Sequence, residues 1–429
     1  MNIAHSTSRN NKISKRQLFA ELIIFILTAD GLYLSYSDMK ITLSRILSVL
    51  FAVMLLTWSI YHRKLRAGGR AGVILFGWLV LSLIIDAYYA STLPTLHHWL
   101  NLAIGVIWFY AIVNLRPDWR VVQSAVLRIG TFLGILSVFA LLSRAASFNP
   151  FGVTDYLVPK VVDLYRIVLF SWEPNIFGTI MALSLILTLP AIQSSTKRNA
   201  LPWSLMLVAL IGSLSKGPWV AFLFGLSVYA IMSATKKIAL VYISILSVTI
   251  VSALALMTAR PALFDSSVIR SANVVVRVVQ DQHALLDILN RPIFGSGTFS
   301  FGDIWPYLNF RFGASRENIA WISQAALGVL HDTGLIGLGL MLFFWGSLIV
   351  QGIVGVRAAK RSGDTELFRF MSATFAALCV LLVQDWVTTL YALPIYWAFM
   401  GIVALIPRWC ASDDRKVSII DGISGAVSK

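Results

Sequence analysis

Apolar runs of helix length, separated by short basic or turn-rich stretches, fill most of the chain. In order they cover about Gln17–Tyr36, Leu43–Tyr61, Gly72–Ala90, Leu100–Leu115 and Val121–Leu142. A sixth starts near Arg166 or Trp172 and ends before STKRN; Leu201–Leu214 follows, and an eighth leads from Pro218 to ATKK. Ile238–Met257, Ile322–Val354, Phe370–Leu390 and Leu393–Ile406 complete about twelve spans. A backbone in lipid must satisfy its own polar groups, so runs of this length read as helices and the expected fold is all-α, a polytopic integral membrane bundle.

One stretch breaks the pattern. Met257–Trp321 carries Arg260, Arg270, Arg277, Arg291, Arg311 and Arg316 beside Asp265, Asp281, Asp287, Asp303 and Glu317, too many charges to cross a bilayer. Within it Val275, Val278, Val279, Leu285, Leu286 and Leu289 recur at helical spacing, with Arg277, Asp281 and Asp287 on the other side. The sequence NRPIFGSG then stops this amphipathic helix. The expected organisation is a single membrane domain, 1–429, with residues 258–321 as an extracytoplasmic cap; the plainer alternative is a solvated loop with one surface helix.

Composition agrees with a membrane protein. Of 429 residues 58% are hydrophobic and 13% charged, and the mean hydropathy is +0.78. The net charge of +15 would suit nucleic acid in a soluble protein. Here the densest basic run, HRKLRAGGR, and its weaker counterparts RPDWR, STKRN, ATKK, VRAAKRSGD and RWCASDDRK all fall on one side of the layout, as the positive-inside rule demands, so no nucleic-acid partner is expected. Lys12, Lys15 and Arg16 put the N-terminus in the cytoplasm, and the C-terminus follows. The first run has no small-residue cleavage site behind it and reads as retained. Two cysteines, Cys379 and Cys410, suggest neither a disulfide framework nor a metal site. There is no internal repeat, P-loop, dinucleotide fingerprint or HExxH.

On this topology three distant segments reach the outer face: LYRIVLFSWEPNIFG with Arg166, Trp172 and Glu173, SLSKGPWVAF with Lys216, and the cap with Arg277 and Arg291. Cations on that face run against the topological bias. A lipid-borne phosphate would explain them, because guanidinium grips phosphate oxygens in a fork and lysine adds a point charge. Each has a plainer reading too: Arg166 snorkelling at the interface, Lys216 capping a hairpin, Arg277 pairing with Asp281 along its helix. Trp172, Trp219, Trp305, Tyr307, Trp321 and Trp386 suit an interfacial belt, with a minority available to stack on sugar rings.

The same segments carry a family resemblance. RIVLFSWEPNIFG resembles the R…GxFxNPNxxG element of the O-antigen ligase and O-antigen polymerase superfamily of bacterial membrane glycosyltransferases, and SKGPWVAFLFGL resembles its SRGA(W)xA element, with lysine in place of arginine. RVVQDQHALLDILNRPIFGSG is similar to the cap sequence, and ISQAALGVLHDTGLIGLGL to HNxxLxxxxExGLIG; the likeness runs from about Tyr165 to Trp397. It implies a donor glycan on undecaprenyl diphosphate, transferred en bloc without nucleotide-sugar, cofactor or obligatory metal. It also implies that Arg166, Lys216 and Arg277 hold the diphosphate as it leaves; Arg291 is a further candidate from the charge argument alone. The family's histidine and asparagine align with Ser323 and Gln324, a departure that favours polymerase over ligase. His331 stands about 12 Å further along a helix and cannot replace the missing histidine; it reads as a packed or loop-facing residue. Asp332 takes the family's acidic position, suited to orienting an arginine, while Glu173, Glu317 and Asp385 are further candidates for the proton of an attacking hydroxyl.

The expectation is therefore a polymerase of undecaprenyl-diphosphate-linked repeats, building O-antigen, capsule or exopolysaccharide on the outer side of a bacterial cytoplasmic membrane. Its partners are the lipid-linked oligosaccharide and membrane lipid, with a flippase and a chain-length regulator as companions. The first rival is a ligase acting on lipid A core or protein. The second is a transporter or flippase of a lipid-linked or anionic substrate.

Overall fold

The computed structural model describes residues 66–89, 93–145, 173–233, 272–301 and 324–411, with short pieces at 33–36, 39–42, 154–156 and 164–167, Leu169, Ile322 and scattered positions between 46 and 57. Ten helices are described: α1 (Gly69–Tyr89), α2 (Leu93–Leu115), α3 (Trp119–Ala145), α4 (Pro174–Ser194), α5 (Thr196–Gly212), α6 (Lys216–Ser233), α7 (Ala272–Asn290), α8 (Ala325–Arg361), α9 (Thr365–Gln384) and α10 (Pro394–Val403). Six are long and apolar enough to cross a membrane: α1, α3, α4, α8, α9 and the segment Pro394–Ala411 that continues α10. The chain is a membrane protein with an all-helical body. Two short antiparallel ribbons, β1 (Tyr33–Tyr36) with β2 (Met39–Thr42) and β3 (Thr154–Tyr156) with β4 (Leu164–Arg166), lie in its connections.

Several boundaries move. The expected first span ends in a strand, because Tyr33–Tyr36 pairs antiparallel with Met39–Thr42. STKRN is no loop: α4 ends at Ser194, one residue turns, and α5 starts at Thr196, with the Asn199 amide donating to the Ala191 carbonyl at 2.6 Å across the corner. Helix α6 begins at Lys216, two residues before the proline expected to open it. VRAAKR continues α8 as far as Arg361. Most of the expected first and second spans, the ninth span, and 258–271 and 302–321 of the cap lie outside the described residues.

Helix ends follow from local chemistry. Pro174 and Pro394 occupy first-turn positions of α4 and α10, where their missing N–H groups cost nothing. Asp364 caps α9 by accepting from the Leu367 amide at 3.0 Å. Trp78, Phe109, Phe344 and Trp397 pack edge-on or tilted in the core between α1, α2, α8 and α10.

The decisive local feature is Gly334. Its φ of 66° and ψ of −167° break α8 into a short arm, Ala325–Thr333, and a long rod. A side chain is strained at such a backbone angle, and a Cβ there would collide with the Ile293 carbonyl. The break releases main-chain groups that the turn after α7 takes up: Ser296 N donates to His331 O at 2.8 Å, Gly297 N to Asp332 O at 3.0 Å and Leu335 N to Pro292 O at 2.9 Å. Gly295, at φ +75°, lies so close that a Cβ would stand 2.6 Å from the Asp332 carbonyl. Gly334→Ala is expected to cost about 2 kcal/mol or more, seen as a lower melting temperature in detergent, while Gly339→Ala, in open space further along the rod, should leave it unchanged.

Candidate functional site

Four connections bring the cation-bearing segments to one end of the bundle. Ile167, next to Arg166, donates its N–H to the Gly212 carbonyl at the end of α5 at 3.0 Å. Ser215 donates to the Asn175 side chain in the first turn of α4. Gly217, next to Lys216, lies where a Cβ would meet the Gln384 amide oxygen and a Val387 methyl at 3.0 Å. Arg277 donates through Nη1 to the Val387 carbonyl at 2.9 Å. The turn after α9, Gln384–Thr388, thus touches both the start of α6 and the guanidinium of α7.

At this end Lys216 is the exposed first residue of α6 and Glu173 the exposed residue preceding α4. Arg277 is half-buried. Asp281, one turn along α7, feels the charge of Arg277, the expected helix-surface neighbour, and also accepts from the Gln324 amide at the start of α8 at 3.0 Å. Burial raises the Asp281 carboxyl, opposed by that hydrogen bond and by the charge of Arg277. Asp385 is buried where its carbonyl receives the Ala325 N–H, and burial lifts its carboxyl to about 8 against smaller effects of Tyr396 and the Leu390 backbone. Arg166 is placed by its backbone on β4, Arg291 is exposed just beyond α7, and Trp172 and Ser323 lie outside the described residues.

Asp332 sits elsewhere. It is buried at the end of the short arm, with Tyr391 donating to Oδ2 at 3.1 Å and His331 Nδ1 3.1 Å from Oδ1, so among the described residues it holds a histidine and a tyrosine and no arginine. The other ring nitrogen of His331, Nε2, lies 2.9 Å from Asp287 Oδ2 on α7, and Ser296 donates to the same oxygen at 2.6 Å. Phe301 closes over the ring edge-on. Of the two expected placements for His331, packed or loop-facing, the structure shows the packed one, between two carboxylates. Asp86 of α1, which accepts from the Thr298 N–H at 2.7 Å, completes this polar core. Its signal was present in the sequence as a lone carboxylate inside an apolar run, which is costly without a partner. Among the described residues no cluster of histidine, cysteine and carboxylates has the arrangement of a metal site.

Residues 202–344 match the family model described as O-antigen ligase. This match, over about a third of the chain, supports the likeness to the O-antigen ligase and polymerase superfamily. The ligase-family segment runs from α5 through α6 and α7 into α8, so it holds Lys216, Arg277, Asp281, the clasped turn and the Gly334 kink. It contains three of the four motif segments and leaves RIVLFSWEPNIFG outside. No curated protein matches the chain.

Two outcomes are expected. His331→Ala takes a partner from buried Asp332 and from half-buried Asp287 and should cost on the order of 3 kcal/mol, read as lost thermal stability, with His331→Gln recovering part of it. Asp385 differs in sign from an ion-paired acid. Between the ordinary carboxylate range and about pH 8 the folded protein holds a proton that the unfolded chain has released, so stability falls as pH rises through that window. Asp385→Asn should flatten the decline in melting temperature measured from about pH 5 to about pH 9.

Proposed function

We propose that the protein polymerises undecaprenyl-diphosphate-linked oligosaccharide repeats at the outer surface of a bacterial cytoplasmic membrane. A sugar hydroxyl of one repeat attacks the anomeric carbon of the growing chain. The new glycosidic bond forms as the bond from that carbon to the diphosphate oxygen breaks, and undecaprenyl diphosphate leaves. Arg277 and Lys216, with Arg166 on the neighbouring strand, stabilise the departing anion, which is where charge develops; Arg291, about 20 Å further along α7, stands apart from them. Glu173, exposed at the same end, takes the hydroxyl proton. Gln324 and the aligned Ser323, with Trp172, bind sugar. Asp332 serves as a positioning residue, holding His331 and Tyr391 beneath the site.

The observation that carries this reading is that the elements bearing Lys216 and Arg277 meet on the single turn Gln384–Thr388. Described basic residues gather at the other end: Arg120 pairs with Glu366 at 3.7 Å and Arg408 reaches the Arg116 carbonyl. By the positive-inside bias that end faces the cytoplasm. The description of the matching family favours a second reading, a ligase that places finished glycan on lipid A core or protein. The polymerase reading rests on Gln324 and Ser323 standing where the ligases' asparagine and histidine align.

Purified protein given only a lipid-linked repeat is expected to yield a glycan ladder; product formed only with a separate acceptor would support the ligase, and no new glycosidic bond would overturn both. Arg277→Ala should lower chain growth by at least about 100-fold at unchanged membrane abundance. Lys216→Arg should stay active, since a fork replaces a point charge; a dead Lys216→Arg at normal abundance would count against phosphate binding there.

A further inference from the structure

Helix α7 is mounted the opposite way from a helix on a soluble globule. Its polar stripe turns inward: Asp281 and Asp287 bond to side chains on α8 and the following turn, Arg277 reaches the Val387 carbonyl, and Gln280 is buried beside Ala284 and Ile288. Its leucines turn away from the protein, Leu285, Leu286 and Leu289 being 50%, 58% and 75% exposed while Ala284 is 0% exposed. The outward patch continues through Ile293 and Phe294 of the clasped turn to Leu335 and Ile336, whose N–H groups bond to Pro292 and Ile293.

From there the patch runs on down the rod of α8. Ile336, Phe343 and Val350 follow one another two turns apart, with Leu335, Leu342 and Val354 alongside, and all are exposed. That stripe lies on a helix long and apolar enough to cross a membrane. The rod ends in Arg357, Lys360 and Arg361, and Val354 back to Leu335 covers roughly 30 Å of helix, the thickness of a bilayer's hydrocarbon core. Leu335 therefore marks the far hydrocarbon boundary, and the leucines of α7 stand against the same boundary.

We propose that α7 is an interfacial helix whose outward face, Leu285, Leu286, Leu289, Ile293 and Phe294, is buried in the lipid leaflet rather than lying in water above the membrane. Lipid covers the leucines as it covers Phe343; Arg277, Asp281 and Asp287 are kept from hydrocarbon by being turned into the protein, and the exposed Arg291 sits at headgroup depth. This placement stands on packing and polarity alone. Its further consequence, that Arg277 meets a lipid-linked diphosphate at headgroup depth, rests on the reading given under Proposed function.

The test is site-directed spin labelling in vesicles of phosphatidylethanolamine and phosphatidylglycerol. Cysteines at Leu286 and Leu289, in a Cys379→Ala, Cys410→Ala background, are compared with one at Phe343 as the lipid-facing reference, which also certifies insertion. Oxygen should relax the labels at 286 and 289 several-fold more effectively than a water-soluble nickel chelate does, as at 343. Preferential relaxation by the nickel chelate would overturn the proposal in favour of a water-facing cap. Protection from both reagents would overturn it in favour of cover by residues 258–271 or 302–321 or by a second copy of the chain. Glycan transfer is measured separately on the unaltered protein, so loss of the polymerase reading leaves the labelling result intact.

Discussion

The break in α8 at Gly334 is the constraint on which the described site depends. An unbroken helix would spend the carbonyls of His331 and Asp332 on its own ladder. With the break they are free to receive Ser296 and Gly297, and the Leu335 N–H is free to reach Pro292. One backbone anomaly thereby fixes where α7 ends, which of its faces meets α8, and how Arg277 comes to lie over the turn Gln384–Thr388. Side chains then reinforce the mount, with His331 between Asp287 and Asp332, Tyr391 on Asp332, and Phe299 stacked on Tyr391 at 5.5 Å. In a low-dielectric setting such a network holds firmly only while every member keeps its partner.

The short arm of α8 and α7 run side by side in the same direction: Asp281 lies opposite Gln324, and Asp287 opposite His331. The two polar pairs are separated by an apolar layer of Ala284, Phe301, Ile322 and Leu327. This separation divides the carboxylates by task. Asp281 and Asp385 lie at the end where the cations meet, while Asp287, Asp332 and Asp86 hold the arm below. Charge at the first end is met in part by water, as the exposure of Lys216 and Glu173 shows; charge in the second group is met by protein.

Much of the helical body was legible because apolar runs of span length have few alternatives, and α1, α3, α4, α9 and the Pro394–Ala411 segment fall close to where their runs predict. Helix α7 was legible from its spacing, but not the direction it faces. A two-sided helix reads identically whether water or lipid covers its apolar stripe, and only its partners decide. The kink was hidden because LHDTGLIGLGL has the glycine content of ordinary membrane helices; a glycine at φ 66° looks like any other in a sequence. Lys216 and Arg277 are legible because the expected layout sets cations on the outer face, against the topological bias. The burial of Asp385 and Asp86 is not legible in the sequence: Asp86 is met by the Thr298 amide, 212 positions away, and Asp385 by Tyr396 and the Leu390 backbone, which only the fold after α9 brings against it.

A joint made of backbone amides and carbonyls asks little of the residues that form it beyond room for two glycines. The clasp of the Pro292–Thr298 turn on α8 is such a joint. Side chains that point away from it and take no part in the Asp287–His331–Asp332 network can be exchanged without loosening the hinge-point. What fastens α7 to α8 is written largely in main-chain atoms, so the outward surface of the joint is free to vary.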